Sequence, residues 1–249
     1  MRENIPLQKL RKGQPTVGSW LTLASPLAAE FLAHVGFDWL VVDTEHSPIG
    51  LETVCCCFQA IATTPTTPMA RVADNDPTLI KQILDVGAMG IVVPMIMSAE
   101  EAQRAVDAAK YPPVGHRSVS GARCTLYGSD YRERANESLL VIAQIEHIEA
   151  VERAEAILSV PGVDAGFIGP NDLAWSMGAA PGSPEHEAAV QRVLEAGKRT
   201  GKPVGIHTYS GSEARRRIQE GFRFLAIGSD ARFMQTFARQ QLEELSPEP

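Results

Sequence analysis

Leu139-Leu140-Val141-Ile142-Ala143-Gln144-Ile145-Glu146 and, further on, Ala165-Gly166-Phe167-Ile168-Gly169-Pro170-Asn171-Asp172 are the stretches on which the fold of this chain turns. Each is an apolar run with strand character that ends abruptly in polar residues, so each places a carboxylate just past the end of a buried strand. Side chains from different strands converge there. Two carboxylates at that level point to a divalent cation site, with Glu146 and Asp172 as its ligands.

Working outward, similar runs recur along the whole chain. The strand candidates are Val17–Leu23, Trp39–Asp43, Pro68–Val72, Gly90–Met95, Leu139–Glu146, Ala165–Gly169, Pro203–His207 and Phe224–Gly228. Amphipathic segments separate them, with start signals at Ser25-Pro26, Asp76-Pro77, Ser98-Ala99-Glu100-Glu101 and Ser210-Gly211-Ser212-Glu213. Gly36, Gly87, Gly201 and Gly221 stand where helices end before the next strand. Strand and helix alternating through eight units is the signature of an α/β fold of the (β/α)8 TIM-barrel type, here a single domain over residues 1–249. An open doubly wound sheet is the rival, but Leu23-Ala24-Ser25-Pro26 is not the glycine-rich phosphate turn that usually follows its first strand.

Composition bounds the function classes. The chain has 249 residues, 44% of them hydrophobic, enough for a full core, and its net charge of −7 argues against a nucleic-acid partner. No apolar run reaches the roughly 18 residues that span a bilayer, and the N-terminus lacks a signal-peptide core, so the expectation is a cytoplasmic protein with no membrane partner. Cys55-Cys56-Cys57 and Cys124 have neither disulfide nor zinc spacing and read as small buried hydrophobes. Residues up to Lys12 read as a short helix plugging the barrel bottom. Two segments break the rhythm: Pro112 to Asn136 is expected to cover the active-site face, and Asp172 to Ser183 reads as a second long loop on that face. The last helix, Ala231 to Leu245, carries Phe233, Met234, Phe237 and Leu242 at nearly helical spacing and needs a partner surface, its own barrel or a neighbouring subunit.

Barrel chemistry sits at the C-terminal ends of the strands. Reading the strand ends in turn collects Asp43-Thr44-Glu45-His46, Arg71, Gln144, Glu146, Asn171, Asp172, His207 and Ser229-Asp230. So many ionisable groups on one rim mark a functional site. Lysine-imine chemistry does not fit, because none of Lys9, Lys12, Lys81, Lys110, Lys198 and Lys202 follows a strand's C-terminal end.

Val41-Val42-Asp43-Thr44-Glu45-His46-Ser47-Pro48, Arg71 after Pro68-Met69-Ala70, Asp85-Val86-Gly87-Ala88 ahead of Gly90-Ile91-Val92-Val93-Pro94, Gln144-Ile145-Glu146 and Phe167-Ile168-Gly169-Pro170-Asn171-Asp172-Leu173 resemble the HpcH/HpaI family of metal-dependent 2-oxo acid aldolases, in the family's order and over nearly the whole chain. The resemblance implies a class II pyruvate aldolase, a lyase that reversibly cleaves a 4-hydroxy-2-oxo acid to pyruvate and an aldehyde. It implies Mg²⁺, Mn²⁺ or Co²⁺ held by Glu146 and Asp172 and chelated by the carboxylate and 2-oxo oxygens of pyruvate. Arg71 would stabilise the enolate oxygen, His46 would transfer protons, and Gln144 would shape the metal site. Backbone amides of the segment Gly169-Pro170-Asn171-Asp172, in which the proline itself has no N–H to give, would hold the substrate carboxylate. The family pattern pairs Asp85 with the histidine, within the subunit or across an interface. It also implies a homo-oligomer, a hexamer with exchanged C-terminal helices.

Plainer readings stand beside these. Asp172 has an alternative as a helix cap, Arg71 as an ion-pair partner of Asp43 or Glu45, and His46 as a loop histidine bonded to a carbonyl. His34, His116, His147, His186 and His207 read as structural or solvated, and Asp43 and Glu45 as supports for ligands. The chain departs from the family at Arg117-Ser118-Val119-Ser120, where Gly-Val-Gly is common after the arginine, and at Cys124, Asn171 and His147. The two serines are expected to stiffen their loop and narrow the pocket. Oxaloacetate decarboxylation, an acyl-CoA lysis related to the citrate lyase β subunit, a non-catalytic 2-oxo acid binding barrel and a phosphate-binding isomerase remain as alternatives.

Overall fold

The quoted stretches form β5 (Leu140–Ile145) and β6 (Ala165–Ile168), adjacent parallel strands in register from Ile142↔Ala165 to Ile145↔Ile168. The computed structural model describes residues 1–245. With β1 (Thr16–Leu21), β2 (Trp39–Asp43), β3 (Thr67–Arg71), β4 (Gly90–Val93), β7 (Val204–Thr208) and β8 (Phe224–Ser229), these strands close a barrel in the order β1 to β8, every pairing parallel. The expected strands are all present, β2 with the expected bounds and the others with one or both ends shifted by no more than two residues.

Helices return each strand to the start of the next. They are α2 (Pro26–Ala33), α3 (Leu51–Ile61), α4 (Pro77–Asp85), α5 (Ala99–Ala109), the short pair α7 (Ile148–Glu152) and α8 (Ala154–Leu158), α9 (Pro170–Met177) with α10 (Pro184–Thr200), and α11 (Gly211–Glu220). Ser25, Asp76, Ser98 and Ser210 cap their helices by accepting a first-turn amide, as their positions before the apolar periods require. The barrel interior is filled by inward side chains such as Trp39, Met69, Ile142, Phe167 and Phe224. Trp39 and Phe224 stack at 4.2 Å, and a Cβ at Gly18 would run into the Trp39 ring, so only glycine fits on β1 there.

The bottom is closed by α1 (Ile5–Arg11), which inserts Leu7 and Leu10 into that interior while Lys9 holds Asp38 at 2.7 Å. The expected plug is present. The segment from Pro112 to Asn136 also lies here, against expectation. It joins the end of α5 to the start of β5, and in a parallel barrel such a connection must run on the face where strands begin. It contains a 3₁₀ turn at Arg123–Tyr127 and the helix α6 (Tyr131–Ser138), and its Tyr127 hydroxyl donates to Gly87 O and the Arg123 guanidinium to Val86 O. Ser118 and Ser120 therefore do not narrow this chain's pocket. The segment after Asp172 does lie on the opposite face, but begins as the helix α9. Of the cysteines, Cys57 and Cys124 are buried, whereas Cys55 is half-buried and Cys56 exposed, so the buried reading holds for only two.

The last helix, α12 (Asp230–Glu244), stands out from the barrel. Phe233 stacks on Phe37 at 6.3 Å, while Met234 and Phe237 are 60% and 64% exposed. Beside its root, α2 exposes Leu27 and Phe31 on successive turns. No helix among the described residues is long and apolar enough to cross a membrane.

Candidate active site

A cavity of about 360 Å³ opens at the C-terminal ends of the strands, and Asp43, His46, Arg71, Gln144, Asn171 and Asp172 are among its walls. The rim residues read from the strand ends therefore meet in space. Strand pairing is the reason: Asp43 ends β2 directly beside Arg71 at the end of β3, and their register places them opposite one another. Arg71 grips Asp43 with two bonds, Nε to Oδ1 at 2.9 Å and Nη2 to Oδ2 at 2.7 Å, and its Nη1 is 3.1 Å from Glu45 Oε2. The ion-pair reading of Arg71 is thus correct as far as it goes, and the same guanidinium faces the cavity. Burial alone would weaken its hold on its proton, but Asp43, then Glu45 and Glu146, outweigh that and raise its pKa, so it remains a cation.

Glu146 is buried one residue past β5. Its Oε1 accepts the Met95 amide at 2.9 Å and its Oε2 accepts from Gln144 Nε2. Met95 adopts a φ of +50°, unusual for a side-chain-bearing residue, and this aims its N–H at the carboxylate. Gly169 approaches from β6 so closely that a Cβ there would collide with Glu146 Oε2. A side chain there would push this carboxylate out of its present position.

Gly169 is the N-terminal flank of α9, Pro170 takes its first position, and Asp172 sits in its first turn. The capping position belongs to Gly169, so Asp172 is not the helix cap. The turn is locked from below by buried His186: Nδ1 accepts the Gly182 amide at 3.1 Å, so the ring proton is on Nε2, 2.8 Å from Pro170 O. Asn171 Oδ1 accepts from the Tyr209 hydroxyl at 2.9 Å. The amides of Asn171 and Asp172, in the first turn, have no carbonyl upstream within the helix and are available to an anion.

The electrostatics are unbalanced. Burial raises the pKa of Glu146 and the negative charges of Asp172 and Glu45 raise it further, against the Met95 and Gln144 bonds. Glu45 is likewise raised by burial, with Arg71 opposing. Gln144 Oε1, buried, has no hydrogen-bond partner. An orphaned amide oxygen next to carboxylates with excess negative charge is a donor set that fits a hard divalent cation, whose charge would offset the repulsion. No cage of three or more His, Cys, Asp and Glu side chains exists among the described residues. Two carboxylates leave most of an octahedral shell to water and substrate.

The placements of two other residues differ from each other. His46 lies on the cavity rim with 65% of its side chain exposed, its Nε2 3.7 Å from Glu45 Oε1, free to carry a proton between solvent and the cavity. Asp85 does not join it. It ends α4, at the barrel face opposite His46, where Arg117 Nη2 donates to it at 2.7 Å and Ser120 Oγ at 3.1 Å. Within the subunit the proposed His46–Asp85 pairing is therefore absent, because α4 runs back from the rim to the bottom.

Trp20, Tyr209 and Arg232 line the cavity but were not singled out from the sequence, and His207, collected at the end of its strand, was read as structural or solvated. Trp20 read as one more apolar strand residue, yet its Nε1 donates to His207 Nδ1 at 3.0 Å and Arg71 lies 4.7 Å over its ring. Burial, with Arg232 and Arg71 nearby, lowers the His207 pKa to about 4, so at neutral pH this ring is uncharged with its proton on Nε2. His207 belongs to the cavity wall, not to the solvent. No lysine lines the cavity.

Comparison with known proteins agrees with this geometry. Residues 16–236 match the family described as HpcH/HpaI aldolase/citrate lyase. A 4-hydroxy-2-oxo-heptane-1,7-dioate aldolase of Escherichia coli is 43% identical over 234 residues, covering 92% of this chain and 89% of that protein. A crystal structure of an HpcH/HpaI aldolase/citrate lyase family protein from Burkholderia cenocepacia J2315 superposes with a TM-score of 0.93 at 38% identity, covering 97% of this chain and 99% of the other. That of an HpcH/HpaI aldolase from Desulfitobacterium hafniense DCB-2 gives 0.91 at 28% identity, over 97% and 96%.

Proposed function

The chain belongs to the HpcH/HpaI aldolase/citrate lyase family, and from that premise we propose that it is a divalent-metal-dependent class II aldolase. It reversibly cleaves a 4-hydroxy-2-oxo acid to pyruvate and an aldehyde. The observation that carries this reading is an under-neutralised carboxylate set beside a fixed guanidinium: Asp172, Gln144 and Arg71 line one cavity, and Glu146 is buried against Gln144 behind that wall. Glu146, Asp172 and the free Gln144 oxygen would hold Mg²⁺, Mn²⁺ or Co²⁺. Such an ion, when bound, supplies a Lewis acid for the 2-oxo acid end of the substrate.

The remaining work falls to the chain's own groups. The amides of Asn171 and Asp172 and the N-terminal end of α9 bind the substrate carboxylate. Arg71, locked by Asp43, holds a positive charge where negative charge develops on the 2-oxo oxygen as the carbon–carbon bond breaks, so its attraction grows along the reaction. His46, exposed and within reach of water, takes the proton from the 4-hydroxyl on cleavage and returns it on addition. Trp20 and Phe167 form the apolar floor and limit water around the reacting carbons.

The whole chain, 1–249, acts as one barrel domain in the cytoplasm, and its assembly is a homo-oligomer. The apolar faces of α12 and α2, at Met234, Phe237, Leu27 and Phe31, support exchange of α12 between subunits, and a hexamer is the state we propose.

The test is exchange of the pyruvate methyl protons with deuterium, followed by NMR, which needs no aldehyde. Exchange should be absent from chelated protein, appear with Mg²⁺ or Mn²⁺, and vanish in Glu146→Ala and Asp172→Ala. A folded, metal-loaded wild type that exchanges nothing sinks the aldolase reading.

A further inference from the structure

Half of the His207 imidazole is committed to the wall and half to the cavity. Trp20 Nε1–H, which can only donate, reaches His207 Nδ1 at 3.0 Å, so Nδ1 is an unprotonated acceptor and the ring's single proton sits on Nε2. His207 lines the cavity, and its Nε2–H has no acceptor among the described residues. The Tyr209 ring holds the imidazole from the other side, nearly perpendicular to it with centroids 4.9 Å apart. The Tyr209 hydroxyl donates to Asn171 Oδ1, so it does not compete for the imidazole.

His207 also stands near the reacting end of the cavity. The Trp20 indole that fixes it has the Arg71 guanidinium 4.7 Å over its ring and packs against Phe167 at 5.8 Å. The indole and imidazole centroids are 6.4 Å apart. One rigid aromatic plate therefore sets the spacing between the cation that faces the 2-oxo oxygen and a neutral donor further along the same wall. A 4-hydroxy-2-oxo acid carries its next oxygen on carbon 4, the atom that becomes the aldehyde carbon.

We propose that His207 is a specificity-determining residue for this reaction: its Nε2–H donates to the oxygen on carbon 4 and so selects one configuration at that carbon. The inference rests on the aldolase reading, which supplies the carbon in question. In cleavage the bond between carbons 3 and 4 breaks and its electron pair stays with the three-carbon 2-oxo acid fragment. The hydroxyl proton passes to His46, and the oxygen on carbon 4 becomes the aldehyde oxygen. His207 keeps its own proton throughout. In the reverse direction an aldehyde has two faces to offer. With its chain directed along the cavity, one face sets the oxygen on Nε2–H. The other sets a carbon-bound hydrogen there and leaves the desolvated N–H without an acceptor, a mismatch that gives about a 10-fold preference.

The experiment is synthesis by the Mg²⁺-loaded full chain from pyruvate and propanal, whose carbonyl oxygen is its one acceptor. The two enantiomers of the product, 4-hydroxy-2-oxohexanoate, are separated by chiral chromatography. Only folded, active protein forms product, so the enantiomer ratio does not depend on how stable a variant is. The wild type should give a ratio of about 10 to 1, and His207→Leu should bring it to within about twofold of equality. His207→Gln should keep a large part of the excess, because its amide oxygen accepts from Trp20 while its amide nitrogen donates to the cavity. A racemic product from the wild type overturns the proposal without recourse to any variant. So does a His207→Leu protein that keeps the wild-type ratio, or a His207→Gln protein that loses it as fully as His207→Leu. A wild type that neither exchanges the pyruvate methyl protons nor forms product sinks the aldolase reading instead, whereas one that exchanges them and forms a racemate sinks this inference alone.

Discussion

The two faces of this barrel each gather buried charge, but they balance it differently. At the bottom, Arg117 is buried between Asp85, Ser120, Tyr131 and the Tyr111 ring, which lies 4.6 Å from its guanidinium. Cation and anion are matched one to one, and α1 seals the barrel interior above. At the top, the carboxylates Asp43, Glu45 and Glu146 act on the single locked cation Arg71, and Asp172 adds a further negative charge beside Glu146 and Glu45, so anions outnumber the cation that holds them. Concentration of charge does not by itself identify chemistry. A buried imbalance facing a cavity does, because it is stable only if something from solution completes it.

Substitutions can break or sharpen that contrast. The largest effect is expected from Arg71→Ala, which removes charge where the reaction develops it and should lower kcat for aldol cleavage by about 10²–10³-fold, and which also costs about 3 kcal/mol of stability by leaving buried Asp43 without its partner. Arg117→Ala should cost stability alone: leaving Asp85 without its partner costs about 3 kcal/mol, read as a lower denaturant midpoint at unchanged slope, while the folded variant keeps its pyruvate exchange. Loss of pyruvate exchange in Arg117→Ala without loss of stability would move the bottom cluster into the functional machinery and overturn the contrast.

A smaller effect separates the faces by pH. Because burial raises the pKa of Glu146, the folded metal-free protein holds that proton more tightly than the unfolded chain does. Its contribution is therefore fully present below the ordinary glutamate range and is lost as pH rises through the raised folded value. Thermal melts of chelated protein should show this loss, Glu146→Gln should flatten it, and Mg²⁺ or Mn²⁺ at a hundred times its Kd should restore about 2.7 kcal/mol at neutral pH. Smallest of all is Trp20→Phe, which removes the Nε1–His207 bond. It should cost about 1 kcal/mol and weaken substrate binding more than kcat, read as a KM change. A kcat loss as large as that of Arg71→Ala would place Trp20 among the reacting groups.

Much of the site was legible before the structure. Arg71, Gln144, Glu146, Asn171 and Asp172 follow strands in sequence, and a parallel barrel brings every strand end to one rim, so their convergence needs no knowledge of packing. The same rule assigns Pro112 to Asn136 to the bottom, since that segment lies between a helix and the next strand. Expecting it over the active site weighed its length and its polar, glycine-rich composition above its position in the chain. The same rule separates Asp85 from His46 within one subunit: the motif that includes it is contiguous in family order, but the residue ends a returning helix, which leaves the pairing across a subunit interface as the form of that expectation. His207 carried the same strand-end signal but was read as structural or solvated, and Trp20, Tyr209 and Arg232 carried no comparable signal. Whether a tryptophan near the end of β1 points into the cavity depends on the register shift against β8 between Gly18 and Trp20.

The sequence by itself determined the alternation of strand and helix, hence the barrel, its polarity and which residues stand at its chemically useful end. These are local patterns of period, cap and order, and they survive without any knowledge of neighbours. Tertiary structure alone decided which charges are matched. That Arg71 is taken by Asp43 while Arg232 is paired with no carboxylate, that Gln144 keeps one oxygen orphaned, and that His207 is neutral depend on burial and on ångström-scale distances between strands remote in sequence. Coulomb energies and desolvation change steeply over those distances, and no spacing along the chain encodes them.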